Sequence, residues 1–153
     1  MNLEIGQVLW LKIKYKIDEI AKEKHPMLIA KVNEKYIEVI ALDKTKGRLQ
    51  NLYRPYNVFI SIDNPNETVI TQDSYAQLNN KFTIENTKEL LMARKTRDKL
   101  SKKKLDDVLT KYSIWHEENI INEERIVHMD KKDILVLNPD LKLKEIVGIK
   151  NKN

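Results

Sequence analysis

The side chains with the widest chemical range in this 153-residue chain are its lysines, tyrosines and three histidines, and they are unevenly spaced. Lys12, Lys14, Lys16, Lys22 and Lys24 crowd the gap between the first two apolar runs. There they could contact phosphates, or simply form a solvated strand face. Tyr53, Arg54 and Tyr56 combine two aromatic rings with a cation, which is what stacking on single-stranded RNA requires. The alternative is an aromatic cluster covering one end of a sheet. His25 stands before Pro26 at the start of a strand-like run, where a histidine is either a plain loop residue or a functional one. His116 adjoins Glu117 and Glu118, but no second histidine follows at helical spacing, so the three read as helix surface. Asp43 reads first as a turn former, because its side chain can bond the backbone two residues on.

Charge is as uneven as chemistry. Residues 87–112 carry nine basic side chains against four acidic ones, and the remainder is neutral, so the whole formal charge of +5 lies in that stretch. Such a patch draws in phosphate backbones without reading their sequence; a solvated lysine-rich helix face is the alternative. With 41% hydrophobic and 33% charged residues, the chain predicts one domain with a core and room for a small appendage. No apolar run approaches the roughly 20 residues of a membrane-spanning helix, and no basic segment precedes an apolar one at the start. The absence of cysteine excludes disulfides and thiolate chemistry, and three scattered histidines argue against a histidine metal site. The expectation is a cytosolic protein with no membrane contact, no metal and no other cofactor.

The elements that must position these residues begin with three apolar runs, 8–15, 27–32 and 36–42, rich in Val, Ile, Leu, Trp and Tyr. Residues 43–57 are polar; Lys46-Gly47 predicts a turn and Arg54-Pro55 disfavours helix. Residues 58–62 alternate as a fourth strand, 63–67 form a turn, 68–71 begin a fifth strand, and Tyr75 and residues 82–84 continue strand-like material. This predicts a bent antiparallel sheet of the kind that closes into a small barrel. Beyond it the period changes. Residues 87–94 predict a short helix, and Ser101 caps a longer one with Leu105, Val108, Leu109, Tyr112 and Trp115 on one face. Trp10 and Trp115 are assigned to the core. Residues 125–129, 134–137 and 145–149 read as short strands, within a C-terminal extension over 119–153 that follows a barrel and closing helix over 1–118.

Several blocks, in order, resemble the MazF/PemK-like toxin family. They are Gly6-Gln7-Val8-Leu9-Trp10-Leu11, His25-Pro26-Met27-Leu28-Ile29, Tyr36-Ile37-Glu38-Val39-Ile40-Ala41-Leu42, Val69-Ile70-Thr71-Gln72-Asp73-Ser74-Tyr75-Ala76, Lys81-Phe82-Thr83-Ile84 and Leu100-Ser101-Lys102-Lys103-Lys104-Leu105. Together they span roughly residues 6–112, and their order rather than any one block carries the likeness. The resemblance implies an α+β fold built on a small SH3-like antiparallel barrel with a C-terminal helix. It further implies a homodimer, and a metal-independent endoribonuclease of a toxin–antitoxin system whose partners are RNA and an antitoxin of either protein or RNA. ToxN-like toxins are more distant relatives in the same sense.

The family uses an arginine of an Arg-Pro step and a threonine ending the third strand. Here His25 stands at the first position and Asp43 at the second, with Thr45 restored by a shift of two residues. The resemblance therefore makes His25, Asp43 and Thr45 the catalytic candidates. It makes Lys14, Lys16, Lys24, Lys44, Lys46, Tyr53, Arg54 and Tyr56 the RNA-binding candidates. A histidine can carry a proton near neutrality, so the same transesterification could run with changed roles. Equally, the substitutions could mark a non-cleaving module that holds RNA or protein in the same groove.

Overall fold

The computed structural model describes residues 2–62 and 67–141. Nine strands and two α-helices carry the described part: β1 Val8–Leu11, β2 Lys14–Lys16, β3 Glu19–Ile20, β4 His25–Val32, β5 Tyr36–Lys44, β6 Asn57–Ile60, β7 Ser74–Gln77, β8 Lys81–Glu85, α1 Lys102–Glu118, β9 Ile126–Met129 and α2 Lys131–Leu137. Short 3-10 segments lie at Leu49–Tyr53, Lys88–Ala93 and Glu123–Arg125. No helix among the described residues is long and apolar enough to cross a membrane.

β5 is the axis of a mixed α+β architecture. β4 runs antiparallel along one of its edges. The other edge is shared: Tyr36 to Val39 pair with β8, and Leu42 to Lys44 pair with β7, which in turn pairs with β6. Because successive strand side chains point to opposite faces, parity then assigns the core. Ile37, Val39 and Ala41 enter one apolar cluster with Leu9, Leu11, Met27 and Phe82. Ile40 and Leu42 enter a second with Val8, Leu28, Val58, Ile60 and Val108. Among the described residues, apart from one bridge from Leu9 to Arg94, β1 has no strand on its outer edge, and β6 and β9 are edges as well. No closed barrel forms among the described residues.

Four local expectations are corrected. The first run, 8–15, is not one strand: pairing stops after Leu11, where the Asn138 side chain takes both backbone groups of Lys12, accepting its N–H at 2.8 Å and donating to its carbonyl at 2.9 Å. The chain beyond leaves the sheet as the β2–β3 ribbon. Residues 68–71 form no strand, since the consecutive Val69 and Ile70 are both buried, which an extended strand against a single core face cannot do. Residues 134–137 are helical rather than extended. Asp130 caps α2 with a reciprocal box in which its side chain takes the Asp133 N–H and Asp133 takes the Asp130 N–H. The Asp133 N–H also holds the Asp130 carboxyl below its usual range. The sheet is not purely antiparallel, because β9 joins β8 in parallel, from Lys81 opposite Ile126 to Ile84 opposite Met129. Residues 119–141 thus contribute Val127, Met129, Ile134 and Leu141 to the first cluster. The expected turn at 63–67 and strand at 145–149 lie wholly or largely outside the described residues.

Ser101 stands at the N-cap of α1, which lays Val108 and Tyr112 on the second cluster. Its anchor is polar. Glu38, on the same parity as Ile40, is buried beneath the helix and accepts a 2.7 Å hydrogen bond from the Tyr112 hydroxyl. Burial, reinforced by the Glu38 carboxylate, holds the Tyr112 phenol well above its usual range. One turn on, the His116 ring lies 4.1 Å from the Tyr112 ring and donates Nε2–H to the Leu78 carbonyl at 2.9 Å. Burial pushes the His116 pKa down.

Two outcomes are expected. Tyr112→Phe strips a buried carboxylate of its donor and lowers stability by about 1–3 kcal/mol in denaturant titration at neutral pH. His116 is held neutral in the folded protein and takes up its proton more readily when unfolded. Its contribution is therefore complete above the ordinary histidine range and is lost as pH falls through that range toward the lowered value. The melting temperature drops on going from pH 7.5 to pH 5, and His116→Gln makes that drop smaller.

Candidate functional site

The starts of β4 and β7 and the end of β5 lie at one end of the sheet, and a cleft of about 230 Å³ opens there. Its walls carry His25, Glu23, Lys24, Asp43, Lys44 and Arg48, together with Trp10, Pro26, Ile70, Thr71, Gln72 and Ser74. Strand register explains why His25 and Asp43 arrive together. The β4–β5 ladder ends at Met27 opposite Ala41; two residues further along the same diagonal are His25 and Asp43, on the same parity.

Asp43 is fully engaged. Its carboxylate accepts the backbone N–H of Lys44 at 2.9 Å, the Tyr75 hydroxyl at 3.4 Å and the guanidinium of Arg48. Tyr75, directly opposite Asp43 across the β5–β7 pair, is itself steadied by the Asn51 side-chain amide, which donates to its oxygen at 3.1 Å. The Asp43 carboxylate also holds the Arg48 guanidinium above its ordinary pKa. With Asp43 at 14% side-chain exposure and Arg48 at 45%, the pair adds under about 1 kcal/mol to stability; its consequence is where it puts the cation.

A turn makes the Asp43–Arg48 pair possible. The Arg48 N–H donates to the Thr45 carbonyl at 2.8 Å, closing a four-residue turn with Gly47 third at φ 76°, as a type II turn asks. Sequence reasoning recognised the Lys46-Gly47 turn but not its product, the return of Arg48 toward Asp43. The signal available was an acid and an arginine five residues apart, flanking a glycine turn.

Trp10 is the other residue missed. It is half-buried, lines the cleft and carries the Lys95 ammonium 3.9 Å above its ring centroid. Lys95 reaches it because residues 94–100 are clasped along the outer edge of β1. Leu9 bridges Arg94, the buried Gln7 side chain donates to the Arg97 carbonyl at 2.9 Å, and the Leu100 N–H donates to the Gly6 carbonyl at 2.9 Å. Gly6 has φ 94°, and a Cβ there would meet Leu105 at 2.8 Å, so the clasp admits glycine alone without rearrangement. Part of the basic segment is thereby laid beside the cleft.

The remaining candidates are dispersed. Thr45 is buried with its hydroxyl on the Asp73 carbonyl at 3.4 Å, outside the cleft lining. Lys24 lines the cleft and pairs with Asp140 at 2.8 Å. Lys14 and Lys16 sit on the β2–β3 ribbon, Lys16 facing Glu124 at 3.8 Å. Lys46 is exposed in the turn. Tyr53, Arg54 and Tyr56 do not form one stacking cluster: Tyr53 is 90% exposed, Arg54 is exposed, and Tyr56 packs edge-on against Trp115 at 6.2 Å. Among the described residues, no group of three or more histidine, aspartate or glutamate side chains is arranged to hold a metal ion.

No family model matches the chain, and no curated protein matches it.

Gly47→Ala tests the turn. The added methyl meets open space, so only the left-handed backbone opposes it. A loss of about 1 kcal/mol is expected in urea denaturation, with the Arg48 side-chain NMR signals displaced from those of the parent.

Proposed function

We propose that this chain is a toxin-like endoribonuclease of a toxin–antitoxin system that cleaves single-stranded RNA through attack of the ribose 2′-hydroxyl. The observation that carries the reading is the meeting of a histidine, an oriented arginine and two lysines around one cleft. The chemistry requires a base for the 2′-hydroxyl, an acid for the departing 5′-oxygen and cationic stabilisation of the phosphorane. His25 is the base. Arg48, aimed by Asp43, meets the phosphorane charge, and the Lys44 ammonium supplies the proton for the leaving oxygen. Asp43 is a positioning residue in this scheme, because its oxygens are already taken by donors. Thr45 has a structural part only.

The order of the family-like blocks and a central strand whose one edge is shared between β8 and β7 support an opened form of the SH3-like barrel of MazF/PemK-type toxins. With it go a homodimer, an antitoxin partner, a cytoplasmic setting and cleavage that needs no metal ion. One observation favours a second reading, a non-catalytic module holding RNA in the same cleft: the threonine nearest the family position is sequestered.

Purified protein incubated with a weakly structured RNA in the presence of a chelator should yield discrete fragments ending in 2′,3′-cyclic phosphate. DNA of the same sequence stays intact for want of the 2′-hydroxyl. His25→Ala and Arg48→Ala should each slow cleavage by about 10² or more. Intact RNA that is merely retarded at low salt, and released as salt rises, supports the binding module instead.

A further inference from the structure

We propose that Trp10 is a nucleobase platform and Lys95 its displaceable cover. The inference rests on the reading that the cleft holds single-stranded RNA, and it names where one base goes. The charged part of the cleft sets Lys24, Lys44 and Arg48 against Glu23 and Asp43, and this excess of cations suits phosphate. Another wall is uncharged: Trp10 and Pro26, over the buried Ile70, form an apolar surface that no phosphate would use. Trp10 and Pro26 are cross-strand neighbours in the β1–β4 pair, so the indole is held by the sheet rather than by a loop. Beside that surface stand the exposed Thr71 and Gln72, whose hydroxyl and amide groups can read the edge of a flat heterocycle.

Lys95 marks the ring as a binding face. Its ammonium lies 3.9 Å above the indole centroid, on an exposed and flexible side chain. A surface cation on an aromatic ring is a weaker contact than a base stacked on that ring. An arriving base therefore displaces the ammonium. Lys95 does not lose its role, because the strand that brings the base also brings phosphates, and a four-carbon stem lets the charge move to one. The backbone of residues 94–100, clasped to β1, keeps the lysine within reach in either position.

The test uses the full chain carrying Trp115→Phe, which leaves Trp10 as the single fluorescent indole of the two in the sequence. It is titrated with an uncleavable 2′-O-methyl oligonucleotide and, separately, with inorganic polyphosphate. Quenching by the oligonucleotide but not by polyphosphate is expected. Trp10→Leu should weaken oligonucleotide binding about tenfold, while Trp10→Phe, which keeps a flat ring, should stay within about threefold of the parent. Lys95→Ala should lower the salt dependence of binding by about one phosphate contact. Equal quenching by both probes, no quenching at saturation, or Trp10→Leu binding as tightly as the parent overturns the proposal. So does the absence of saturable binding. The quenching experiment keeps the native ring, so misfolding of Trp10→Leu does not blunt the test. Failure of the two readings is separable: quenching without any RNA fragments removes the nuclease and leaves the platform, whereas fragments without quenching remove the platform alone.

Discussion

A central strand buried on both faces governs this molecule. From Ile37 to Leu42 every residue of β5 is buried, including Glu38. A strand in that position cannot slip by one residue, because a slip would exchange its two core-facing sets and move Glu38 away from Tyr112. Register is therefore specified at β5 and propagates outward through β4, β7 and β8. The end of β5 inherits that precision. Asp43 stands one residue past the last fully buried position, opposite Tyr75 and level with the start of β4. The cleft is a consequence of where a doubly buried strand meets solvent.

Electrostatics at that end follow from geometry more than from net charge. The formal excess of the chain lies within residues 87–112, yet the lysines and arginine that line the cleft, Lys24, Lys44 and Arg48, all come from elsewhere. The basic segment divides. Residues 94–100 run along β1 and send Lys95 over Trp10, while none of the lysines of α1 lines the cleft. Local acids then set the direction of individual cations: Asp43 aims Arg48, and Asp140 draws on Lys24. A carboxylate inside a cationic cleft lowers its total charge but fixes one donor in place, which serves a reaction needing a positioned cation rather than a diffuse one.

The C-terminal part of the described chain is not an accessory to this arrangement. The Asn138 side chain ends β1 by occupying the backbone of Lys12, and β9 extends the sheet beyond β8. The apolar, strand-forming pattern itself continues through Ile13 and Tyr15 and gives no sign of a break at Lys12. The ribbon that follows, and with it the approach to Lys24 and His25, depends on a contact 126 residues distant along the chain.

Much of the fold was legible from residue order alone: the strand-forming runs around Met27 and Tyr36, the Lys46-Gly47 turn, and α1 behind Ser101 with its three- and four-residue apolar spacing. Each is encoded within one element, by side-chain period or by a residue's own backbone preference. Period fails where it is absent. The apolar run Ile134-Leu135-Val136-Leu137 fits strand or helix, and the Asp130–Asp133 box decides for helix. Only tertiary structure could bury Thr45, return Arg48 to Asp43, open Trp10 to the cleft and set β9 parallel to β8. Those outcomes depend on which surfaces different segments leave uncovered once packed. That is a property of neighbours in space, which no single stretch of the chain carries.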